Sequence, residues 1–223
     1  IYAHRGASRQ QRENSVEAFL TAAELGADGI ELDVRRTLNG QLVVHHDSHA
    51  GDLLIERSHR RDLPDYIPDL GTALDACNGL HVNIEIKIDS PDVSELSNLA
   101  SELERYLRTR TEPISRWIVS SFNHAIVDQI RELSPRLPTG LLFGRGSWLD
   151  VMRHAVVNGH SAIHPHESII DGRLVRTAHA AGIDVNAWTV NDVERALELA
   201  ALGIDGLITD IADEVLGVLG DFQ

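Results

Sequence analysis

Two acidic residues, Glu31 and Asp33, stand two positions apart in an otherwise apolar run. Glu85 and Lys87 repeat that spacing further along the chain. On a β-strand, residues two apart point to the same face, so each pair shares a face and the aliphatic residues beside it take the other. Three carboxylates that converge inside a protein cannot all stay ionised without compensation, which a divalent cation with oxygen ligands supplies. The pattern indicates either such a metal site or a buried ion-pair network with Lys87 and Arg5.

The chain has 12 histidines, and two of them end predicted strands beside these acidic residues. His4 ends the first strand, and His46 ends a strand that follows the second. Two histidines can share general acid and base work near neutral pH. His45 points to the opposite face from His46. His164 and His166, at the end of the sixth strand, are interpreted as a structural turn or a minor substrate contact. Six more are interpreted as solvated, capping or packed residues: His49, His59, His124, His154, His160 and His179.

Two basic side chains complete a candidate anion site. Arg5 follows His4 directly, and Lys87 shares a strand face with Glu85. A cation, a guanidinium and an ammonium that face one cavity suit the equatorial oxygens of a phosphoryl group. Metal-binding carboxylates, two histidines and two basic side chains are together the groups that phosphodiester cleavage requires. The residues therefore indicate a metal-dependent phosphodiesterase.

The elements that must position these residues alternate between short β-rich runs and amphipathic helical runs. Eight β–α units match a closed (β/α)8 TIM barrel, whereas an open doubly wound sheet more usually stops at five or six strands. The polar strand ends would then share the mouth of the barrel, where barrel enzymes carry catalysis. The predicted strands are 1–4, 29–34, 82–87, 117–122, 140–143, 162–164, 185–189 and 206–209. The predicted helices are 15–25, 71–77, 93–107, 124–133, 148–157, 172–181, 193–202 and a short one after Asp210.

Side chains and glycines are expected to mark the helix ends. Asn14 and Asn191 are predicted to cap the first and seventh helices at their N-termini. Glycines in the left-handed conformation commonly end helices. The glycines predicted to do so are Gly26, Gly159, Gly182 and Gly203.

An extra strand is predicted directly after the second barrel strand. The run 41–46 has strand character, but too few residues precede it for a parallel crossover. Asn39-Gly40 is a strong signal for a two-residue hairpin turn. We therefore predict an antiparallel hairpin at the barrel rim, in which Asp33 faces His46. The stretch 52–68 is expected to be a long surface loop near the mouth.

The composition limits the partners and the location of the protein. A formal charge of −14 repels nucleic acid and anionic membranes, so neither is expected as a partner, and no run of 18 apolar residues could span a membrane. The lone Cys77 excludes an intrachain disulfide and is expected to be buried on a helix. The 223 residues fit a single domain over 1–223, whose oligomeric state cannot be read. The absence of a signal peptide favours a cytoplasmic location, with the natural start left open because Ile1 is not preceded by Met.

A set of short motifs runs in order along nearly the whole chain. They are His4-Arg5-Gly6, Glu13-Asn14-Ser15, Glu17-Ala18-Phe19, GADGIELDV over 26–34, VVHHD over 43–47, IPDL over 67–70, Glu85-Ile86-Lys87, Ser121-Phe122, AWTVN over 187–191 and GIDGLITD over 203–210. As a set they are specific, and with them the sequence resembles the glycerophosphodiester phosphodiesterase family.

The resemblance implies a barrel enzyme that releases glycerol phosphate and an alcohol from a small-molecule phosphodiester. It implies that Glu31, Asp33 and Glu85 bind one divalent cation, Mg²⁺ or Ca²⁺. It also implies that His4 and His46 are the acid/base pair. The residues that it places at the phosphate and the substrate are Arg5, Lys87, Glu13, Asn14 and Trp188.

Two departures from the family pattern concern the pocket. Arg12 stands where the family usually has Pro, and the segment 47–67 is short, lacks the usual Arg-Thr-Thr-like pattern and leaves no room for the inserted domain of larger members. The leaving alcohol therefore stays open among choline, ethanolamine, a sugar and a lysolipid. The aromatic content of only 4% favours small water-soluble diesters.

We expect one histidine to deprotonate the nucleophile and the other to protonate the leaving alkoxide. The nucleophile is either water or a vicinal hydroxyl of the substrate. Two other functions remain open. One is an enolising barrel enzyme with Lys87 as base, which does not need His4 and His46. The other is a non-catalytic barrel that binds phosphodiesters.

Overall fold

The computed structural model describes residues 1–77, 79–89 and 93–220, over which eight parallel strands close into a barrel surrounded by helices. The first barrel strand pairs with both the second and the last, so the predicted TIM barrel is confirmed. The strands are β1 (Tyr2–His4), β2 (Gly29–Arg36), β3 (Leu42–Val44), β4 (His49–Ala50), β5 (Leu53–Leu54), β6 (His81–Ile86), β7 (Trp117–Ser121), β8 (Thr139–Phe143), β9 (Ala162–Pro165), β10 (Asp184–Ala187) and β11 (Gly206–Thr209). The helices are α1 (Val16–Glu24), α2 (Leu70–Ala76), α3 (Val93–Arg108), α4 (His124–Leu133), α5 (Trp148–Asn158), α6 (Gly172–Ala180), α7 (Val193–Ala201) and α8 (Ala212–Gly220).

Strand β2 explains why carboxylates face the inside of the barrel. Ile30, Leu32 and Val34 are fully buried in the main hydrophobic core. Glu31 and Asp33 alternate with them and are buried as well. Because the aliphatic face packs into that core, the alternate residues must point into the barrel lumen. The charged set is therefore held in place by the burial of its apolar neighbours.

Across the lumen from β2, polar side chains fill space that glycines leave free. Asn186 Nδ2 donates to His164 Nε2 at 3.0 Å, and both residues are buried. A Cβ on Gly140 would lie 2.4 Å from His164 Nε2, and one on Gly206 would lie 2.3 Å from Asn186 Oδ1. Burial lowers the pKa of His164 to about 3, so its ring stays neutral. His164 therefore packs the barrel interior.

The extra antiparallel strand is β3, which pairs with β2 as predicted, but its register is shifted by one residue. Arg35 faces Val43, and the backbone N–H of His45 donates to Asp33 O at 2.9 Å. Asp33 thus faces His45, and the prediction that it faces His46 is wrong. The hairpin closes from Thr37 to Gln41 around a three-residue loop with Gly40 at φ 81°, as in the common loop that ends in a left-handed glycine.

The two predicted asparagine caps are also wrong by one residue. Ser15 caps α1 by accepting a hydrogen bond from the backbone N–H of Ala18, and Asp192 caps α7 in the same way. Asn14 and Asn191 turn their amides to acidic side chains in the barrel mouth instead. The four glycines that were predicted to end helices all have positive φ. They are Gly26, Gly159, Gly182 and Gly203.

The stretch predicted as a surface loop has its own small core. Strands β4 and β5 form a separate two-stranded sheet, followed by two short 3₁₀ turns. Five buried apolar residues pack together beneath it, which are Val43, Ala50, Ile55, Leu63 and Ile67. The cluster contains residues on both sides of His46 and Asp47 in the sequence, so it anchors the segment that carries them.

Two further sequence expectations concern burial and membranes. Cys77 is buried at the end of α2, and burial raises the pKa of its thiol to about 12. Among the helices described by the structure, none combines the length and the apolar character that a bilayer crossing requires.

We predict that Ser15→Ala lowers the free energy of unfolding by about 0.5–2 kcal/mol, because it removes the cap of α1. Urea denaturation followed by circular dichroism measures this change. Asn123→Ala is the matched control, since Asn123 occupies the N-cap of α4 without a side-chain capping bond. Equal losses in the two variants would contradict the assigned cap.

Candidate active site

Three carboxylates meet at the mouth of the barrel. Glu31, Asp33 and Glu85 each offer an oxygen atom within 4.8 Å of the others, and all three residues are buried. Glu31 Oε1 has no hydrogen-bond partner among the described residues, and Asp33 Oδ1 has only the ion pair with Lys87 Nζ at 3.1 Å. Unpaired buried oxygens are costly, and a hard divalent cation takes such oxygen ligands. The donor set therefore fits a divalent metal ion.

The pKa values of the three carboxyl groups diverge. Burial and the nearby charge of Asp33 raise the pKa of Glu31 to about 8. Burial opposes ionisation of Asp33, but Lys87 and Arg5 hold its pKa below the usual range. Burial raises the pKa of Glu85, partly offset by Lys87. Without a cation the cluster therefore retains a proton at neutral pH, and a cation would take the place of that proton.

Arg5 and Lys87 stand beside the carboxylates. Arg5 donates through Nη1 to Glu13 Oε2 at 2.9 Å, and its Nε lies 3.2 Å from Asp33 Oδ2. Lys87 Nζ lies 3.1 Å from Asp33 Oδ1 and forms a close ion pair with Glu85. Burial lowers the pKa of Lys87, but these two carboxylates outweigh it and raise the pKa above its usual value. Both bases therefore carry positive charge toward the cavity.

Two residues reach the site with left-handed backbones. Arg5 has φ 57°, and its backbone N–H donates to Glu31 Oε2 at 3.0 Å. Asn14 has φ 57°, and its amide both donates to Asp33 Oδ2 at 2.7 Å and accepts from the backbone N–H of Asp33 at 3.2 Å. These bonds fix two of the carboxylates from the β1–α1 loop.

His4 lies deep in the mouth between two acidic residues. Its Nδ1 is 2.5 Å from Asp210 Oδ1, and its Nε2 is 3.7 Å from Glu31 Oε2. Burial lowers the pKa of His4, but the bond to Asp210 and the charge of Glu31 raise it above the usual value. Burial likewise opposes ionisation of Asp210, whose pKa the His4 bond holds low. A carboxylate on Nδ1 orients an imidazole and stabilises its charged form, so Nε2 is left to exchange protons.

His46 lies at the rim and has a similar partner. Its Nδ1 is 2.8 Å from Asp47 Oδ1, and the bond lowers the pKa of Asp47. Arg35 Nε donates to the backbone oxygen of His46 at 2.8 Å. Within the described residues, no ion pair joins His46 directly to the three carboxylates.

An aromatic wall borders the mouth on the side of β10. Trp188 donates through Nε1 to His164 O at 2.7 Å. Phe122 and His166 each meet the Trp188 ring edge-on with centroids 5.1 Å apart. Lys87 Nζ lies 5.8 Å from the centroid of Phe122, which connects this wall to the charged site.

Sequence reasoning missed two members of this arrangement. Asp210 stood in a motif but was given no role, although it follows a barrel strand as a mouth residue does. Phe122 also lay in a motif without a role. Arg12, the departure from the family pattern, stacks over the ring of Tyr66 at 4.1 Å and joins the β1–α1 loop to the segment after β5.

Comparisons with known proteins agree on one family. The sequence model described as the "Glycerophosphoryl diester phosphodiesterase family" matches residues 4–214. A glycerophosphodiester phosphodiesterase of Caldanaerobacter subterraneus subsp. tengcongensis is 30% identical, with 98% of this chain and 97% of the relative aligned. One similar solved structure is a glycerophosphodiester phosphodiesterase of Thermotoga maritima, with 26% identity, a TM-score of 0.82 and coverage of 98% and 97% of the two chains. Another is a phosphodiesterase of Oleispira antarctica in complex with the product sn-glycerol-3-phosphate, with 24% identity, a TM-score of 0.86 and coverage of 98% and 96%.

We predict that ionisation of Glu31 makes a destabilising contribution to the metal-free protein as pH rises between the ordinary Glu pKa of 4.5 and about 8. The folded state binds the Glu31 proton more tightly than the unfolded state, so this stabilisation is present at low pH and is lost as Glu31 ionises. Urea unfolding in EDTA at several pH values measures the slope. Glu31→Gln should remove this contribution, so the difference in stability between the two proteins should change with pH, while the opposite slope of buried His164 is common to both. A slope that is the same in both proteins would contradict the raised pKa.

Proposed function

Because the chain belongs to the glycerophosphoryl diester phosphodiesterase family, and is therefore a phosphoric diester hydrolase, we propose that its barrel mouth cleaves glycerophosphodiesters with one divalent cation and a histidine pair. The products are glycerol phosphate and an alcohol. The observation that carries this proposal is the convergence of three buried carboxylates, two basic side chains and the His4–Asp210 pair. Residues 1–223 serve as a single catalytic domain in this proposal.

Glu31, Asp33 and Glu85 are assigned as the metal ligands. Their oxygen donors suit Mg²⁺ or Ca²⁺, which prefer carboxylates over nitrogen ligands. When bound, the cation supplies stabilisation of the negative charge that develops on the phosphoryl oxygens. The buried Glu31 Oε1, which has no partner among the described residues, supports this assignment.

Arg5 and Lys87 are assigned to the phosphate. Each already pairs with carboxylates and so is held charged near the same cavity. A guanidinium can bind two phosphoryl oxygens at once, whereas an ammonium acts as a point charge. Together they would offset the repulsion that a chain of formal charge −14 exerts on a phosphate ester.

His4 and His46 are assigned as the acid/base pair. Asp210 favours the charged form of His4, which suits His4 to protonate the leaving alkoxide. His46, at the more open rim beside Asp47, then takes the proton of the nucleophile. That nucleophile is water for direct hydrolysis or a vicinal hydroxyl for a route through a cyclic phosphate. Detection of cyclic glycerol phosphate during turnover distinguishes the two routes.

The glycerol end of the substrate is assigned to the aromatic side of the mouth. Trp188 offers an apolar surface there, and Glu13 offers a carboxylate next to Arg5. Asn14 is assigned to the same site through the two bonds of its amide to Asp33. The relative from Oleispira antarctica that was solved with sn-glycerol-3-phosphate supports a glycerol phosphate product. A small, water-soluble diester is favoured over a nucleic acid, which the net negative charge repels.

An enolising enzyme with Lys87 as its base is disfavoured. A base must lose its proton near neutral pH, and enzymes lower the pKa of lysine for that purpose. Asp33 and Glu85 instead raise the pKa of Lys87. Its charge is thus suited to binding an anion.

We predict that the protein releases glycerol phosphate from glycerophosphocholine with Mg²⁺ or Ca²⁺ and that EDTA abolishes the release. Glu85→Ala should abolish it as well, because one metal ligand is lost. Glu198→Ala is the matched control, as it removes an exposed carboxylate paired with Arg195 on α7. Activity on bis(p-nitrophenyl) phosphate but not on glycerophosphocholine would support phosphodiester cleavage and indicate a different natural substrate. Absence of turnover on both substrates would contradict the enzyme mechanism and favour a phosphodiester-binding barrel.

We predict that His46→Ala lowers kcat by about 10²–10⁴-fold, the usual contribution of general acid–base catalysis. His45→Ala is the control, because His45 is the adjacent residue and its Nε2 bonds to His49 O instead. Steady-state kinetics on glycerophosphocholine measures both variants. A His46→Ala enzyme whose kcat stays within about threefold of the wild-type value would contradict the assignment of His46 to the acid/base pair.

A further inference from the structure

A second cluster of potential metal ligands lies on the outer wall of the barrel, outside the catalytic mouth. Asp128 on α4, His154 on α5 and His160 after α5 place one donor atom each within 4.8 Å of the others. His154 Nε2 lies 2.8 Å and His160 Nε2 lies 2.9 Å from the same oxygen, Asp128 Oδ1. Two imidazoles thus converge on one carboxylate.

The fold holds His160 rigidly in this cluster. Helix α5 ends at Gly159 in the left-handed conformation with φ 73°, which turns the chain so that His160 N donates to Ala155 O. The His160 side chain is fully buried, and its Nδ1 lies 2.9 Å from Thr139 Oγ1 on β8. Metal-binding histidines usually have such a partner on the second ring nitrogen, which fixes the ring and aims the other nitrogen.

The other two ligands are accessible enough to admit an ion. The side chains of His154 and Asp128 are 32% and 31% exposed. A tetrahedral Zn²⁺ with ligands at about 2.0–2.1 Å separates its ligand atoms by about 3.3 Å. The present separations of 2.8 and 2.9 Å would need to widen by only about half an ångström, within the freedom of side chains that reach solvent.

We propose that Asp128, His154 and His160 bind one divalent transition-metal ion of the Zn²⁺, Co²⁺ or Ni²⁺ class, with water at the remaining position. On binding, a neutral ring moves its one proton from Nε2 to Nδ1 through solvent, whereas a doubly protonated ring releases one proton to solvent. In either case Nε2 turns its lone pair to the metal. The His160 ring then carries its one proton on Nδ1 and donates a hydrogen bond to Thr139 Oγ1. Asp128 then loses its two contacts with the imidazole nitrogens and binds the cation in their place.

This site differs in chemistry from the carboxylate cluster at the mouth. Two imidazole nitrogens and one carboxylate favour first-row transition metals, whereas three carboxylates favour Mg²⁺ or Ca²⁺. The ion would tie α4 to α5 and to the start of β9. Its role is therefore to hold the outer wall together, and the proposal does not depend on the reaction at the mouth.

The test uses the full chain without a histidine tag, in millimolar Mg²⁺ to occupy the carboxylate site. Equilibrium dialysis against Zn²⁺ should give one bound ion per chain. At a Zn²⁺ concentration roughly a hundredfold above Kd, Tm should rise by about 5–10 °C. In His154→Gln the ion and the Tm shift should both be lost. His179→Gln is the matched control, since His179 forms a similar 2.9 Å pair with Asp205 but belongs to no three-donor cluster among the described residues.

Asp128→Asn provides a second variant that keeps an amide of the same size but loses the anionic ligand. Circular dichroism verifies that each variant is folded. Equal Zn²⁺ stoichiometry and equal Tm shifts in wild type, His154→Gln and Asp128→Asn would overturn the proposal. So would a Co²⁺-loaded wild-type protein without visible absorption from tetrahedral nitrogen and oxygen ligands, a result that needs no variant.

Discussion

The arrangement of the barrel mouth depends on the charge balance around Asp33. This carboxylate is fully buried and lies within ion-pairing distance of Arg5 and Lys87. Those two bases keep Asp33 ionised, and its charge then helps burial to raise the pKa of Glu31. A buried charge is tolerated only where partners compensate it, so each group here sets the ionisation of the next. The cluster is poised to accept further positive charge.

The same balance supports unfavourable backbone conformations. A non-glycine residue in the left-handed region costs of order 1–2 kcal/mol, and Arg5 adopts it at the end of β1. The hydrogen bond from its N–H to Glu31 helps to offset that cost. Asn14 adopts the same region while its amide bonds Asp33 twice. The same hydrogen bonds therefore offset the backbone strain and hold the carboxylates in place.

The sequence predicts the parts of the molecule that follow from alternation and charge. The eight barrel strands follow from the alternation of β-rich and helical runs. The inward direction of Glu31 and Asp33, and their grouping with Glu85, follow from the two-residue spacing on strands. The features that could not be predicted from the sequence depend on the bonds of single side chains. The hairpin register differs from the predicted one because Thr37 closes a loop of three residues. Asn14 bonds to Asp33 and does not cap α1 as predicted. Local propensity ranks such choices too closely to decide them.

The bond between His4 and Asp210 joins the first strand of the barrel to the loop after its last strand, across 206 positions of sequence. A growing chain emerges from the ribosome with His4 first, and its carboxylate partner follows only when the final strand has been made. Domains generally fold as units during synthesis. The imidazole therefore lacks its Asp210 partner in any chain that ends before the final strand. Under the proposed role of His4, proton transfer therefore requires a closed barrel, so only chains that have completed the last strand could be active.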